Sequence, residues 1–71
     1  MEVVVIEAVH ESGALARISR IYDDEGFTAA FRVYKGQKID ETYQLEVVGE
    51  NATMGDAVWQ FNELVQVITG V

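Results

Sequence analysis

An apolar repeat near the end of the chain constrains the fold more than any other feature. In the stretch MGDAVWQFNELVQVI, which runs from Met54 to Ile68, apolar residues recur every three or four positions. That spacing predicts an amphipathic helix whose apolar stripe must be covered by another surface. The stripe consists of Met54, Ala57, Val58, Phe61, Leu64, Val65 and Ile68.

The residues that flank this stripe predict where the helix begins and ends. Thr53 followed three positions later by Asp56 resembles a capping box, with Asp in place of the usual Glu or Gln. Gly70 is a typical residue for the end of a helix. We expect the stripe to pack on the sheet face that carries Phe31, Leu45 and Val4.

Three segments before the helix alternate apolar and polar residues with the period of a β-strand. They are Glu2–Val9, Phe27–Tyr34 and Glu41–Val48. The glycine in Lys35–Lys38 predicts a hairpin turn between the last two strands. Because both faces of Glu2–Val9 carry β-branched residues, we expect this strand to be covered on both sides.

The stretch Ser12–Phe27 fits two structures. As a helix it would begin at Ser12 and end at Gly26, but the acids of DDEG would then lie at the negative end of the helix dipole. As a strand followed by a DDEG turn, it completes a meander with short connections. We favour the strand, which predicts one α+β domain over residues 1–71. Its architecture is an antiparallel meander of three or four strands packed on one C-terminal helix, or β-α-β-β-α if residues 12–25 are helical.

Negative charge is concentrated in the second half of the chain. The chain has twelve acidic and five basic residues, for a net charge of −7. No basic residue follows Lys38, so the last 33 residues carry −6 of that charge. The acids of this segment are Asp40, Glu41, Glu46, Glu50, Asp56 and Glu63. Such a surface repels phosphate backbones and favours basic partners, although acidity also simply keeps small proteins soluble.

Trp59 is the only tryptophan, and it lies well away from the centre of the apolar stripe. Its neighbours on the predicted helix are small or polar: Gly55, Asn62, Glu63 and Gln66. Either the loop Gly49–Ala52 or a chain terminus covers the indole, or a protein partner does. Tryptophan is enriched among the residues that dominate binding energy at protein interfaces.

The chain lacks the residues of common catalytic and metal sites. It has no cysteine and one histidine, and three consecutive residues, His10, Glu11 and Ser12, are not expected to converge on one reacting atom. We predict no metal, no cofactor and no enzyme activity, and we expect little room for a pocket of about 300 Å³. The acidic start is unlike a signal peptide, and no apolar run is long enough to cross a membrane, so we expect a cytoplasmic protein.

A nucleic-acid-binding sheet face is one alternative function. The basic and aromatic residues that could form it are Arg17, Arg20, Arg32, Lys35, Lys38, Tyr22 and Tyr34. An excess of seven acids over bases opposes direct binding to nucleic acid.

These features together favour a small acidic module that binds a basic surface on a larger protein. The predicted partner-binding residues are Trp59, Asp56, Glu63, Glu46, Glu50, Asp40 and Glu41. In size, acidity and lack of a catalytic set, the chain resembles small inhibitors encoded by phages or mobile elements. The resemblance, which rests on no motif, implies a block on a host nuclease or CRISPR complex by DNA mimicry. The second alternative is a structural homodimer that hides Trp59, Val67 and one face of Glu2–Val9.

Overall fold

The computed structural model, which describes residues 1–70, confirms an antiparallel meander packed on one C-terminal helix. The strands are β1 (Glu2–Val9), β2 (Ala14–Tyr22), β3 (Thr28–Ile39) and β4 (Thr42–Asn51), and the helix is α1 (Met54–Thr69). Each strand pairs with the next in the chain, in the order β1-β2-β3-β4. The edges of the sheet are therefore β1 and β4.

The ambiguous stretch is a strand, so the helical alternative for residues 12–25 is wrong. The DDEG segment turns the chain as predicted, and Gly26 adopts a φ of 88°. Its backbone N–H donates to the carbonyl of Asp23 over 3.1 Å. The Asp23 carboxylate also accepts the backbone N–H groups of Glu25 and Phe27, each at 2.9 Å. These local bonds explain why acids occupy the turn.

The predicted turn at Lys35–Lys38 is wrong, because these residues lie inside β3. The chain instead reverses at Asp40 and Glu41, where Asp40 adopts a φ of 59°. Gly36 is required for side-chain packing and not for a turn. A Cβ atom there would lie 2.7 Å from Leu45 Cδ2 and 3.3 Å from Leu15 Cδ2, so the glycine makes room for both leucines.

The predicted helical stripe forms the core with the middle of the sheet. Ala57 and Phe61 are buried against Ala16, Ile18 and Val33, and the remaining members of the stripe pack around them. Thr53 and Gly70 cap α1 as predicted: the Thr53 side chain accepts the backbone N–H of Asp56, and Gly70 adopts a φ of 75°.

The prediction of which sheet residues pack against α1 is only partly right. Phe31 lies under α1, but the pairing register puts Leu45 and Val4 on the opposite, open face. The register shifts by one residue in β1 between Val4 and Ile6, and again where Val33 and Tyr34 of β3 pair with β4. A one-residue shift moves the following side chains to the other face of a sheet. Val48, the residue at the shift in β4, therefore packs against the core, whereas Val47 lies on the open face.

Ion pairs tie the strands together across the open face. Arg32 on β3 donates to Glu50 on β4 over 2.8 Å and to Glu2 on β1 over 3.3 Å. The Tyr34 hydroxyl donates to Glu2 over 2.7 Å. Hydrogen bonds to Tyr34 and Glu50 raise the pKa of Arg32 further above its ordinary value, so this side chain keeps its charge. Arg17 and Glu7 form a second pair at 2.7 Å between β2 and β1.

Ser19 gives the first testable prediction. Its side chain is completely buried on β2, and among residues 1–70 its hydroxyl has no hydrogen-bond partner. A buried hydroxyl without a partner carries a desolvation penalty of about 1–3 kcal/mol. We expect Ser19→Ala to leave the free energy of unfolding unchanged or to raise it by about 1 kcal/mol, as measured by urea denaturation. A clear loss of stability would contradict the absence of a partner.

The expectation that β1 is covered on both sides is wrong. β1 is an edge strand, and the exposed fractions of its large apolar residues remain between 37% and 52%. Those residues are Val3, Val4, Val5, Ile6 and Val9.

Candidate protein-binding site

Trp59 lies on the solvent side of α1 and is 67% exposed. The segment around Gly49–Ala52 borders the indole but does not cover it, and no other part of residues 1–70 does so. Of the explanations open at the sequence level, cover by that loop is wrong. The largest side chain in the protein therefore faces solvent, in a position where a second molecule could bury it.

Trp59 lines a groove between α1 and β4, which we call the β4–α1 trough. The helix turns back along the last strand, so its first half lies beside the end of β4 and its second half beside the start. The first half of the trough has a volume of about 420 Å³ and is lined by Gly49, Glu50, Asn51, Asp56, Trp59, Gln60 and Glu63. Both halves are larger than the sequence led us to expect.

The second half of the trough is more apolar. It has a volume of about 480 Å³ and is lined by residues of the sheet and of the helix end. These include Ala14, Gln44, Leu64, Val67 and Ile68. Val67 is 77% exposed, so a row of helix residues one turn apart, Trp59, Glu63 and Val67, follows the trough from one half to the other.

Gln60 fixes the walls of the trough relative to each other. Its Nε2 donates to the carbonyl of Val48 over 2.9 Å, and its Oε1 accepts from Asn51 Nδ2 over 3.0 Å. Gly49 makes room for this contact, because a Cβ atom there would overlap the Gln60 amide. Sequence reasoning missed the contacts of Gln60 with Val48 and Asn51 and the role of Gly49. The one available signal was a polar residue next to the apolar stripe.

The predicted acidic residues do not all lie beside Trp59, and they are not equally available. Asp56 and Glu63 line the trough beside Trp59, and among residues 1–70 neither has a cation within ion-pair distance. Glu50 also lines the trough, but its carboxylate bonds to Arg32. Glu46 pairs with Lys35 at 3.4 Å. The free negative charge in the trough therefore comes from Asp56 and Glu63.

The two remaining predicted acids, Asp40 and Glu41, lie apart from Trp59. They form the turn between β3 and β4, and neither lines the trough. Asp56 also has a structural role, because a carboxylate in the first turn of a helix stabilises the helix dipole.

The basic and aromatic residues that could bind nucleic acid do not share one face. Arg17, Arg32, Tyr34 and Lys38 point to the open face, whereas Arg20, Tyr22 and Lys35 lie on the face that carries α1. Arg17, Arg32 and Lys35 are in ion pairs, and Arg20 stacks on the rings of Tyr22 and Phe31. This arrangement does not favour a basic sheet surface for nucleic acid.

The turn between β1 and β2 brings His10 and Ser12 into contact, and Glu11 takes no part in it. His10 Nδ1 lies 2.9 Å from Ser12 Oγ, and it also lies 3.2 Å from the Ser12 backbone nitrogen, whose N–H it accepts. These contacts close the turn. The cavity beside His10 has a volume of only about 80 Å³.

Comparisons with known protein families, curated proteins and solved structures found no match. Within residues 1–70, no helix is both long and apolar enough to cross a membrane. The function is therefore argued from the side chains of this chain alone.

Proposed function

We propose that this protein is a non-enzymatic binding module whose β4–α1 trough docks on a basic surface of a larger protein. One observation carries the proposal: Trp59 is 67% exposed in the same groove as Asp56 and Glu63. An exposed indole in a groove provides a large apolar anchor, and interface energy is concentrated in such anchors. Two acids beside it favour a partner that carries Lys or Arg there.

The target that fits this chemistry best is a surface that normally binds nucleic acid. Such surfaces carry arrays of Lys and Arg that contact phosphates, and carboxylates can occupy the same positions. A chain with a net charge of −7 associates with such a surface through long-range attraction. In this proposal the protein is a cytoplasmic inhibitor of phage or mobile-element origin, and it blocks a host nuclease or CRISPR complex.

A structural homodimer is the second candidate, because β1 exposes apolar side chains on both faces. The interface expected from the sequence is not one surface, however. Trp59 and Val67 border β4, at the opposite edge of the sheet from β1. Self-association through β1 and partner binding through the trough are therefore separate properties.

Capture from a bacterial lysate tests the proposed function. The immobilised full chain is compared with the double variant Asp56→Asn, Glu63→Gln, which removes the free charge of the trough. We expect the wild type to retain a nucleic-acid-binding protein, identified by mass spectrometry, that is released by rising salt and by a competing DNA duplex. We expect the double variant to associate with that protein about tenfold more slowly.

A matched control distinguishes the effect of the trough acids on binding from the effect of net charge. Asp24→Asn with Glu25→Gln makes the same change in charge at the exposed turn between β2 and β3. The control should bind like the wild type. Equal effects of the two double variants, or a captured protein that a DNA duplex does not displace, would reject the proposed surface.

A further inference from the structure

The outer edge of β1 has one feature that keeps edge strands from pairing, the one-residue shift between Val4 and Ile6, and lacks the others. It contains no proline and no lysine, and its only charged residues are Glu2 and Glu7. Native edge strands are blunted by such residues, because free N–H and C=O groups otherwise pair with another chain. The strand is also apolar on both faces, with Val3 and Ile6 on one side and Val4 and Val9 on the other.

The two acids of β1 do not protect this edge, because both are neutralised within the chain. Glu7 pairs with Arg17 at 2.7 Å, and Glu2 pairs with Arg32 at 3.3 Å and accepts from Tyr34 at 2.7 Å. All three partners lie on β2 or β3 and draw the carboxylates inward over the sheet. A second strand can therefore approach without facing two unpaired negative charges.

We propose that β1 pairs antiparallel with β1 of a second copy, giving one continuous eight-stranded sheet. A strand paired at this edge satisfies the free N–H and C=O groups of β1 and packs beside side chains of both faces, whereas a molecule docked on one face contacts only the side chains of that face. A second copy fits because its β1 presents the same neutral, apolar edge, and a two-fold axis makes the contact self-complementary.

The one-residue shift in the pairing of β1 with β2 favours one register for the pairing of the two β1 strands. Because the pairing with β2 shifts between Val4 and Ile6, Glu2 and Val4 share the open face with Glu7 and Val9. Opposed side chains must lie on the same face, which leaves two central registers. One puts Glu2 of one copy opposite Glu7 of the other, so that the side chains of two ion pairs would have to occupy the same place on the open face. The other puts Val5 opposite Ile6, Val4 opposite Glu7, Val3 opposite Ala8 and Glu2 opposite Val9.

Sedimentation of the full chain at micromolar concentration tests the dimer. We expect a mass twice that of the 7.9 kDa chain. A lysine at position 5 would put two positive charges at the two-fold axis, so Val5→Lys should raise the dissociation constant of the dimer at least tenfold. Phe27→Lys is the matched control, because Phe27 is an exposed apolar residue away from β1, and it should remain dimeric.

Cross-linking tests the register, since the chain has no cysteine of its own. We expect a mixture of Val3→Cys and Ala8→Cys chains to form a disulfide-linked heterodimer under mild oxidation, because opposed residues on antiparallel strands lie within disulfide range. Each variant alone should cross-link much more slowly. Equal cross-linking in the mixture and in the single variants would overturn the register and the proposal with it.

The outcomes separate this proposal from the proposed function. A wild type that is monomeric at every concentration, or a dimer that survives Val5→Lys, would overturn it. A dimer that dissociates with Val47→Lys, on the open face, or with Trp59→Ala would also overturn it, because the interface would then lie elsewhere. Failure of the lysate capture has no bearing on the dimer, and a monomeric chain can still bind a partner through the trough.

Discussion

Replacing Phe61 with alanine is expected to remove most of the stability of this protein. Phe61 is only 7% exposed and is the largest side chain that α1 contributes to the core around Ile18 and Val33. Truncation of a buried phenylalanine costs about 3–5 kcal/mol. A chain of this size is expected to have a free energy of unfolding of about 4–10 kcal/mol, so the loss is comparable to the total. Urea denaturation followed by far-ultraviolet circular dichroism measures it.

Phe27→Ala is the matched control for this change. It deletes the same side chain from a position that is 67% exposed, in the turn before β3. We expect it to change the free energy of unfolding by less than about 0.5 kcal/mol. If the two alanine variants were equally stable, the stripe of α1 would not be the core of the fold.

Replacing Trp59 with alanine is expected to have the largest effect on partner binding. The indole is mostly solvent-exposed in the free protein, so its truncation should change the free energy of unfolding by less than about 0.5 kcal/mol. In the complex the same truncation removes the proposed anchor of the interface. Such residues contribute about 2 kcal/mol or more, which corresponds to an affinity loss of about 30-fold.

The protein captured on the wild-type chain provides the ligand for this measurement, by surface plasmon resonance or calorimetry. Phe27→Ala again serves as control, because Phe27 has the same exposed fraction as Trp59 but lies outside the trough. Affinity for the captured protein should change only with Trp59→Ala. Unchanged affinity in both variants would place the contact elsewhere on the molecule.

The sequence predicted most of the elements and the core-facing residues of the helix, but not which residues of β1 and β4 face the core. The helix stripe, its capping residues Thr53 and Gly70, and the DDEG turn are strong local signals, and the structure confirms each of them. The turn after β3 was placed too early, because a glycine can serve a close side-chain contact as well as a turn. The face of β4 was misassigned because a one-residue shift in register reverses the alternation, and a period of two does not reveal it.

The sequence predicted several residues of the candidate site, but it did not predict their ion pairs or the groove that they line. The displacement of Trp59 from the apolar stripe already set it apart from the core, but the sequence left open whether a loop, a chain terminus or a partner covers it. The pairing of Glu46 and Glu50 with bases was hidden, because Lys35 and Arg32 reach them only through the register of β3 and β4. The groove itself depends on the bonds of Gln60 to β4, which link residues far apart in the chain.

The strand order puts β1 and the trough at opposite edges of one sheet. In a dimer formed through β1, this arrangement sets the distance between the two β4 strands. In the dimer we propose, seven inter-strand spacings of about 4.8 Å separate the two β4 strands, or about 34 Å in a flat sheet. Because each strand of a sheet is rotated by about 20–25° from its neighbour, the two troughs face different directions. We therefore expect the dimer to hold two separate partner molecules rather than two sites on one flat target.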